Sequence, residues 1–254
     1  MREWIIGRNP VYETIIAGRR QPFSLTLAEG VQPKGHLAEI IERCRAKKIP
    51  IRRVPNSRLA AKGHNHQGVA LEVSGYPYAT IFDILENIDR HQQHARVLIL
   101  DALKDPQNLG TLLRTAEATG VDGVLLPLRQ SASITPAVVR ASSGATEHLQ
   151  IARANLSQAI SRFKEKGLWI IGLEHTTVAK TPAEISLNIP MALIVGSESK
   201  GMRSLTRKSC DFFLRLPMCG HVDSLNASVA GSIALYLVWE QNQFTGEKSP
   251  ETLT

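Results

Sequence analysis

Four continuous apolar runs dominate the chain beyond residue 80. They lie at 97–100, 124–126, 169–172 and 192–195. Strands that are buried on both faces read as unbroken apolar runs, because neither face meets water. Helical patterns lie between them, at about 108–119, 135–142 and 155–166. This alternation predicts an α/β fold, with a parallel sheet covered by helices on both faces and ligands at the carboxyl ends of the strands.

The first 75 residues show shorter alternating signals. Strand patterns cover 24–27, 51–54 and 69–73, and a helical pattern covers 34–48. Asn9-Pro10 predicts the start of an earlier helix, with Asn9 as its cap, and Gly18 predicts its end. The sequence therefore predicts a small α/β domain at 1–75, a linker with a connecting helix at 76–94, a larger α/β domain at 95–246 and a frayed polar tail at 247–254.

Composition narrows the class of protein. With 43% hydrophobic and 21% charged residues in a chain of 254, we expect a substantial buried core. No apolar run approaches the length of a membrane span, and the N-terminus lacks the apolar core of a secretory signal. Cys44, Cys210 and Cys219 show no CxxC spacing, which favours a reducing, cytoplasmic setting without a disulfide framework or a metal site.

Positive charge is concentrated in the first third of the chain. The formal net charge is +7; residues 1–77 contain 13 Lys/Arg and 6 Asp/Glu, whereas residues 78–254 contain 17 of each. Such asymmetry indicates a module that binds a polyanion, although a basic, solvated surface gives the same count. Arg52-Arg53 and Lys47-Lys48 are the candidates for contacts with nucleic-acid phosphates.

Three polar segments follow predicted strands and carry the candidate chemistry. In the first, Asn108 is expected to cap a helix that contains Arg114. The second, 194–202, reads Ile-Val-Gly-Ser-Glu-Ser-Lys-Gly-Met and matches neither a Walker loop nor the dinucleotide fingerprint. The third, 214–232, follows an apolar, strand-like run that stops at Pro217, and it crowds small polar residues at the start of a helix. Taken singly, each segment is explained as well by helix capping as by a site.

The three segments together form an ordered set of motifs. Asn-x5-Arg, then G-S-E-x-x-G, then L-P-M-x-G-x-x-x-S-L-N-x-S-V-A resembles the motif set of the SpoU (TrmH-like) branch of the SPOUT RNA methyltransferases. The segments 7–11 and 66–69 resemble the N-terminal substrate-binding domain of the bacterial 23S rRNA (guanosine-2′-O)-methyltransferase subgroup. Arg140-Ala-Ser-Ser-Gly-Ala145, followed by Glu147, resembles the middle motif of that subgroup.

That resemblance implies a fold and an activity. The family transfers a methyl group from S-adenosylmethionine to a ribose 2′-hydroxyl of structured RNA, and the C-terminal part of its catalytic domain is tied in a deep trefoil knot. A guanosine in the peptidyl-transferase region of 23S rRNA is the expected target, with the 1–75 domain binding the RNA. A tRNA or resistance-type rRNA target stays open, as does a non-catalytic RNA-binding or ribosome-assembly protein.

The resemblance also assigns residues by their motif positions. The catalytic positions correspond to Asn108, Arg114, Glu198, Ser224 and Asn226. The cofactor positions correspond to Gly196, Leu216 and Leu225, with Ile194, Val195, Met218 and Ser228 nearby. No metal is expected.

Arg114 is expected to act in a homodimer. In the family, the first-motif arginine of one subunit is thought to reach the cofactor bound by the other. Because a guanidinium stays protonated in proteins, we expect Arg114 to hold the adjacent phosphate and stabilise the developing alkoxide rather than to act as a base.

Overall fold

The computed structural model describes residues 1–129, 132–197 and 200–248. These residues fall into two compact units. The first contains Met1–Pro77, Leu109–Arg114 and Ser133–His148, and the second contains the remaining described residues.

The first unit is built on a four-stranded mixed sheet. Its strands are β1 (Arg2–Ile6), β2 (Pro22–Ala28), β3 (Ile51–Val54) and β4 (Val69–Ser74), in the order β1-β4-β2-β3. β4 pairs antiparallel with β1 and β2, and β3 pairs parallel with β2 at an edge of the sheet. The helices of this unit are α1 (Arg8–Ala17), α2 (His36–Ala46), α3 (Asn56–Ala60) and α6 (Pro136–Ala141).

Burial in the first unit follows the predicted periodicities. Leu25 and Leu27 of β2 are buried, as is Leu71 of the neighbouring β4. Helix α2 buries one face, which carries Leu37, Ile40, Ile41 and Cys44. The predicted 3–4 spacing of this helix is confirmed, although the helix is shorter than the predicted 34–48 at both ends.

The second unit is built on a six-stranded parallel sheet. Its strands are β5 (Arg96–Leu100), β6 (Gly123–Pro127), β7 (Ile151–Ala154), β8 (Trp169–Leu173), β9 (Met191–Val195) and β10 (Phe212–Leu214), in the order β10-β8-β9-β5-β6-β7. The helices that belong to it wholly or in part are α4 (Ile81–His91), α5 (Pro106–Ala118), α7 (Leu156–Glu165), α8 (Ser204–Lys208) and α9 (Ala227–Gln241). The prediction of a parallel α/β sheet is confirmed.

The strand order places a crevice between β5 and β9. The chain adds β6 and β7 on one side of β5, and then returns to build β8, β9 and β10 on the other. β5 and β9 pair in register up to their last residues, Leu100 and Val195. Because ligands of open parallel sheets bind where the strand order reverses, we expect the segments that follow Leu100 and Val195 to form a ligand-binding site.

Both predicted asparagine caps are wrong. Helix α1 begins two residues earlier than predicted, with Gly7 as its cap, and Asn9 lies inside the first turn. Helix α5 begins at Pro106, and its cap is Asp105, whose Oδ1 accepts a hydrogen bond from the Asn108 backbone N–H at 2.8 Å. Proline lacks an N–H and fits anywhere in a first turn that leaves N–H groups unpaired, so it did not fix the cap position. The predicted end of α1 at Gly18 is confirmed, with φ 62°.

Sequence reading missed two short strands, β1 and β7. β1 alternates incompletely and is half exposed, whereas β7 is only Ile-Ala-Arg-Ala. Neither segment is long or apolar enough to stand out from loop sequence. In the part of the chain that the structure describes, no helix combines the length and the apolar character needed to cross a membrane.

Candidate active site

Helix α9 begins at a polar cap. Asn226 Oδ1 accepts hydrogen bonds from the backbone N–H groups of Ser228, at 2.9 Å, and Val229, at 3.3 Å. These donors have no partner within the helix, so the cap satisfies them. The Ser228 hydroxyl donates to the same oxygen at 2.6 Å. The predicted helix start rich in small polar groups is therefore present, with Asn226 as its cap.

A side-chain hydrogen bond joins this cap to the first turn of α5. Asn226 Nδ2 donates to Asn108 Oδ1 at 3.0 Å, and the Ser228 hydroxyl lies 3.3 Å from the same oxygen. Asn108, Asn226 and Ser228 thus form one hydrogen-bonded group, hereafter the asparagine cluster. It brings together the first and third motifs of the sequence.

A cleft of about 480 Å³ opens beside the cap, and we call it the first cleft. Leu173, Val195 and Leu214, at the carboxyl ends of β8, β9 and β10, contribute to its wall. Five of the residues expected to bind a cofactor line it: Val195, Gly196, Leu216, Met218 and Leu225. Its size and mostly apolar wall are typical of a small-molecule site.

Four other predicted residues take different positions around the first cleft. Ser224 and Asn226, both exposed, line it directly. Ile194 is fully buried in the core of the sheet, and Ser228 is buried with its hydroxyl in the asparagine cluster. Ile194 and Ser228 therefore lie behind the wall of the cleft rather than on it.

Gly196 is required by the fold of the loop that follows β9. A Cβ on this residue would lie 2.5 Å from Gly201 C and from Met202 N, both backbone atoms. The chain folds back so tightly because Ser197 and Gly201 exchange both backbone hydrogen bonds, at 3.0 and 2.9 Å. Gly201 itself has φ +62°, a conformation that favours glycine. Of the other predicted site residues in this loop, Glu198 lies outside the described residues, as does Ser199.

An ion pair between buried Asp101 and exposed Arg203 anchors the far end of the same loop. Asp101, which directly follows β5, is completely buried and accepts hydrogen bonds from Arg203 N at 2.8 Å and Arg203 Nε at 2.6 Å. Sequence reading did not identify Arg203. Asp101 could have indicated such a contact from the sequence, because it is a charged residue that directly follows a run of buried strand positions.

Arg114 belongs to the first unit. Its side chain is exposed, and Nη1 donates to Ser143 Oγ at 3.1 Å. Arg114, a predicted catalytic residue, is therefore not among the residues of the second unit that line the first cleft.

The middle motif supplies a buried ion pair to the first unit. Arg20 Nε donates to Glu147 Oε2 at 3.0 Å, and Arg20 Nη2 lies 2.9 Å from Glu147 Oε1. Both side chains are fully buried, and Glu3 accepts a further hydrogen bond from Arg20 at 2.7 Å. Burial raises the pKa of Glu147, while Arg20 acts in the opposite direction. The structure thus gives Glu147 a structural partner in the first unit.

Two family profiles match the sequence. The profile described as the SpoU rRNA Methylase family matches residues 95–236, and one described as RNA 2′-O ribose methyltransferase substrate binding matches residues 4–79. A Staphylococcus saprophyticus protein, described as a putative TrmH family tRNA/rRNA methyltransferase, is 38% identical over 247 residues, covering 96% of this chain and 98% of that protein. A Bacillus subtilis protein with the same family description is also 38% identical, with the same coverage.

Solved structures share the fold. The SpoU methyltransferase AviRb from Streptomyces viridochromogenes superposes with a TM-score of 0.77 at 20% identity, covering 96% of this chain and 90% of that one. An AdoMet-bound rRNA methyltransferase from Sinorhizobium meliloti gives 0.77 at 22% identity, covering 97% and 88%. At these identities the likeness is one of fold.

Proposed function

The chain belongs to the SpoU rRNA methylase family, and from that premise we propose that it methylates a ribose 2′-hydroxyl of ribosomal RNA with S-adenosylmethionine as the methyl donor. One observation carries the proposal. A cleft of cofactor size lies against the asparagine cluster, which supplies polar side chains at its edge. The cytoplasm, where ribosomal RNA is found, is the proposed location.

The first cleft fits S-adenosylmethionine. Leu216 and Leu225 offer apolar surface for an adenine ring, and the bare backbone at Gly196 allows close approach of a ligand. When bound, the cofactor supplies a methyl group on a sulfonium, which is electrophilic without further activation. The protein is left with placing the hydroxyl in line with that methyl group, and such positioning contributes up to roughly 7–11 kcal/mol in favourable cases.

The asparagine cluster is proposed to do this positioning. Asn226 is held by its cap bonds on one side and by Asn108 on the other, so its side chain is fixed before a substrate arrives. Ser224, which also lines the first cleft, is proposed to hold the ribose or the cofactor. Glu198 is assigned by its motif position to orienting the catalytic arginine.

Arg114 of a second subunit is proposed to complete the site. Among the described residues that line the first cleft, Arg215 has the one permanent positive charge, and its Nε is engaged by Ala179 O at 3.1 Å. A developing alkoxide in the first cleft requires a cation. A guanidinium delivered by a partner subunit meets that requirement.

The surface of α9 supports a homodimer. Only Glu240 is charged among the 15 residues of this helix, whereas a helix on the surface of a monomer is normally polar on its outer face. Val229, Ile233 and Tyr236 are between 41% and 47% exposed, and Phe244 beyond the helix is 41% exposed. A second copy of the chain, packed about a two-fold axis, would bury this surface.

A guanosine in the peptidyl-transferase region of 23S rRNA is the proposed target. The resemblance of segments 7–11 and 66–69 to the 23S subgroup supports it, as does the charge of the first unit. Lys47, Lys48, Arg52 and Arg53 are all exposed, and none forms an ion pair with another residue that the structure describes. Such a surface suits recognition of structured RNA through its backbone.

Transfer of tritium from methyl-labelled S-adenosylmethionine tests the proposal. Purified protein is offered 23S rRNA, 16S rRNA and bulk tRNA, and labelled nucleotides are mapped by their resistance to alkaline cleavage. We expect label in 23S rRNA at one guanosine 2′-oxygen. Label confined to tRNA would mean that tRNA, rather than 23S rRNA, is the target, while the proposed methyl transfer to a ribose 2′-hydroxyl would stand. RNA binding without transfer to any RNA would favour a non-catalytic assembly protein.

A further inference from the structure

A second cleft, of about 520 Å³, lies in the same unit beside the first. The two clefts share Ser197 and Gly201, the residues that close the tight loop after β9. Asn108 lines the second cleft, and its hydrogen-bond partner Asn226 lines the first. The two clefts therefore adjoin at Ser197 and Gly201, and the hydrogen bond between Asn226 and Asn108 links their walls.

The second cleft differs from the first in charge. Lys104, Lys200 and Arg203 line it, whereas most of the first cleft is apolar. Arg203 directs Nε to buried Asp101, so part of its charge is compensated. Lys104 and Lys200 are exposed, and neither forms an ion pair with any residue that the structure describes. Two lysines without an ion pair to a described residue thus line one cavity.

The acidic residue of the second cleft does not cancel these charges by direct contact. Asp105 serves as the cap of α5, and its Oδ1 accepts the Asn108 backbone N–H at 2.8 Å. A carboxylate at this position is favoured by the positive end of the helix.

Ribose chemistry links the two clefts. The 2′-hydroxyl and the 3′-phosphate of a nucleotide are attached to neighbouring carbons of one ring. A ribose that presents its 2′-oxygen to a methyl group in the first cleft must therefore carry a phosphate to the immediate surroundings. The adjoining surface that is lined by Lys104 and Lys200 is the second cleft.

We infer that the second cleft binds the RNA phosphate next to the acceptor ribose, with Lys104 and Lys200 as its contacts. This inference rests on the proposed function, because it assumes an RNA ribose at the asparagine cluster. It assigns to the loops after β5 and β9 a phosphate-binding role separate from that of the basic surface of the first unit. Phosphate contacts fix register and orientation without reading sequence, so these lysines would position the substrate.

Three variants of the full-length protein test the inference: Lys104→Ala, Lys200→Ala and the double variant. Lys208→Ala is the matched control, because Lys208 is an exposed lysine of the same unit that lines neither cleft. The affinity for an rRNA fragment is measured by fluorescence anisotropy at several salt concentrations. S-adenosylmethionine affinity is measured separately by calorimetry, and KM and kcat come from methyl transfer.

Each alanine variant is expected to weaken RNA binding about three- to tenfold and to lower the salt slope by roughly 0.7–0.9 per contact removed. Cofactor affinity is expected to stay within about twofold of the wild type, because the lysines line the other cleft. Lys200→Arg, which keeps the charge, should restore most of the RNA affinity.

Unchanged RNA affinity and salt slope in the double variant would overturn the inference while leaving the proposed function intact. Loss of cofactor affinity instead would mean that the second cleft holds part of S-adenosylmethionine, and would equally overturn it. Absence of methyl transfer by the wild type would contradict the proposed function. The anisotropy measurements of RNA affinity would still decide whether the lysines contact RNA.

Discussion

Asn226 and Asn108 bond side chain to side chain at 3.0 Å although 118 positions separate them in sequence. The side-chain amide of Asn226 makes two different kinds of contact. Its Oδ1 caps α9, and its Nδ2 fixes Asn108. The capping role contributes stability and the link to Asn108 shapes the site, so different substitutions should separate the two.

Asn226→Ala removes both interactions. We expect it to lower the free energy of unfolding by roughly 0.5–2 kcal/mol, the usual cost of losing a helix cap. Methyl transfer should fall much further, because Asn108 loses its hydrogen bond from Asn226 at the edge of the first cleft. Urea unfolding and single-turnover methyl transfer measure the two effects.

Asn226→Asp is the matched control. Aspartate caps helices as well as asparagine does, so stability should stay within about 0.5 kcal/mol of the wild type. The carboxylate has no N–H to donate to Asn108 Oδ1, so activity should still be lost. Full activity in this variant would contradict the proposed role of the asparagine cluster.

Gly196 and Gly220 provide a matched pair of glycines in the two loops around the first cleft. Gly196→Ala would place a Cβ 2.5 Å from backbone atoms, whereas a Cβ at Gly220 meets nothing within 4 Å. We expect Gly196→Ala to cost about 1–3 kcal/mol of stability, as overpacking does, and to weaken cofactor binding at least tenfold. Gly220→Ala should bind the cofactor like the wild type. Calorimetric titration with S-adenosylmethionine makes the comparison.

The sequence predicted the sheet of the second unit because its strands are buried and apolar. The runs at 97–100 and 192–195 correspond to β5 and β9, and their ends define the crevice. Periodicity could not supply the contact between Asn108 and Asn226, since nothing local in either segment specifies the other. The order of the motifs nominated both residues, and folding of the parallel sheet brought them together.

Two features of the site were beyond sequence reasoning for physical reasons. Asn108 was mistaken for a cap because proline is tolerated throughout a first helical turn, so Pro106 did not identify Asp105. The charge of Lys104 and Lys200 carried no signal, because isolated lysines occur on most protein surfaces. Only the three-dimensional arrangement shows that both line one cavity beside the asparagine cluster.

The three cysteines should differ sharply in alkylation. Burial raises the pKa of Cys44 to about 11, and burial raises that of Cys210 to about 12, so neither forms much of the reactive thiolate at pH 8. Cys219 is exposed and lies between Met218 and Gly220 in the loop of the first cleft. We expect iodoacetamide to label Cys219 first in the native protein, and S-adenosylmethionine to slow that labelling. Mass spectrometry of the peptides identifies the site.

The matching control is Cys219→Ser, in which the fast phase of labelling should disappear. If the cofactor binds but leaves the rate at Cys219 unchanged, the loop that carries Met218 does not contact it. That outcome would remove Met218 from the proposed cofactor site.

Breaking the Arg20–Glu147 pair should destabilise the first unit strongly. Both side chains are fully buried, so Glu147→Gln removes one of the two carboxylates that pair with Arg20 and should cost up to about 3–5 kcal/mol, while Glu3 keeps the other pair. Glu86→Gln, in the exposed pair with Arg90, should change stability by less than about 0.5 kcal/mol. Arg20→Met combined with Glu147→Leu should recover much of the loss, because it removes both fully buried charges and leaves only Glu3, which is partly exposed. Urea denaturation of the four proteins tests this.

Arg114 should act across the dimer, and mixing two inactive variants tests it. Arg114→Ala lacks the arginine but keeps the first cleft, whereas Asn226→Ala keeps the arginine and has a damaged cleft. If each site combines Arg114 of one subunit with the cleft of the other, a heterodimer contains one intact site and one doubly defective site. Random pairing of equal amounts should then restore about a quarter of the wild-type rate, since half of the dimers are mixed. If arginine and cleft act within one subunit, every site in the mixture stays defective and activity should not return.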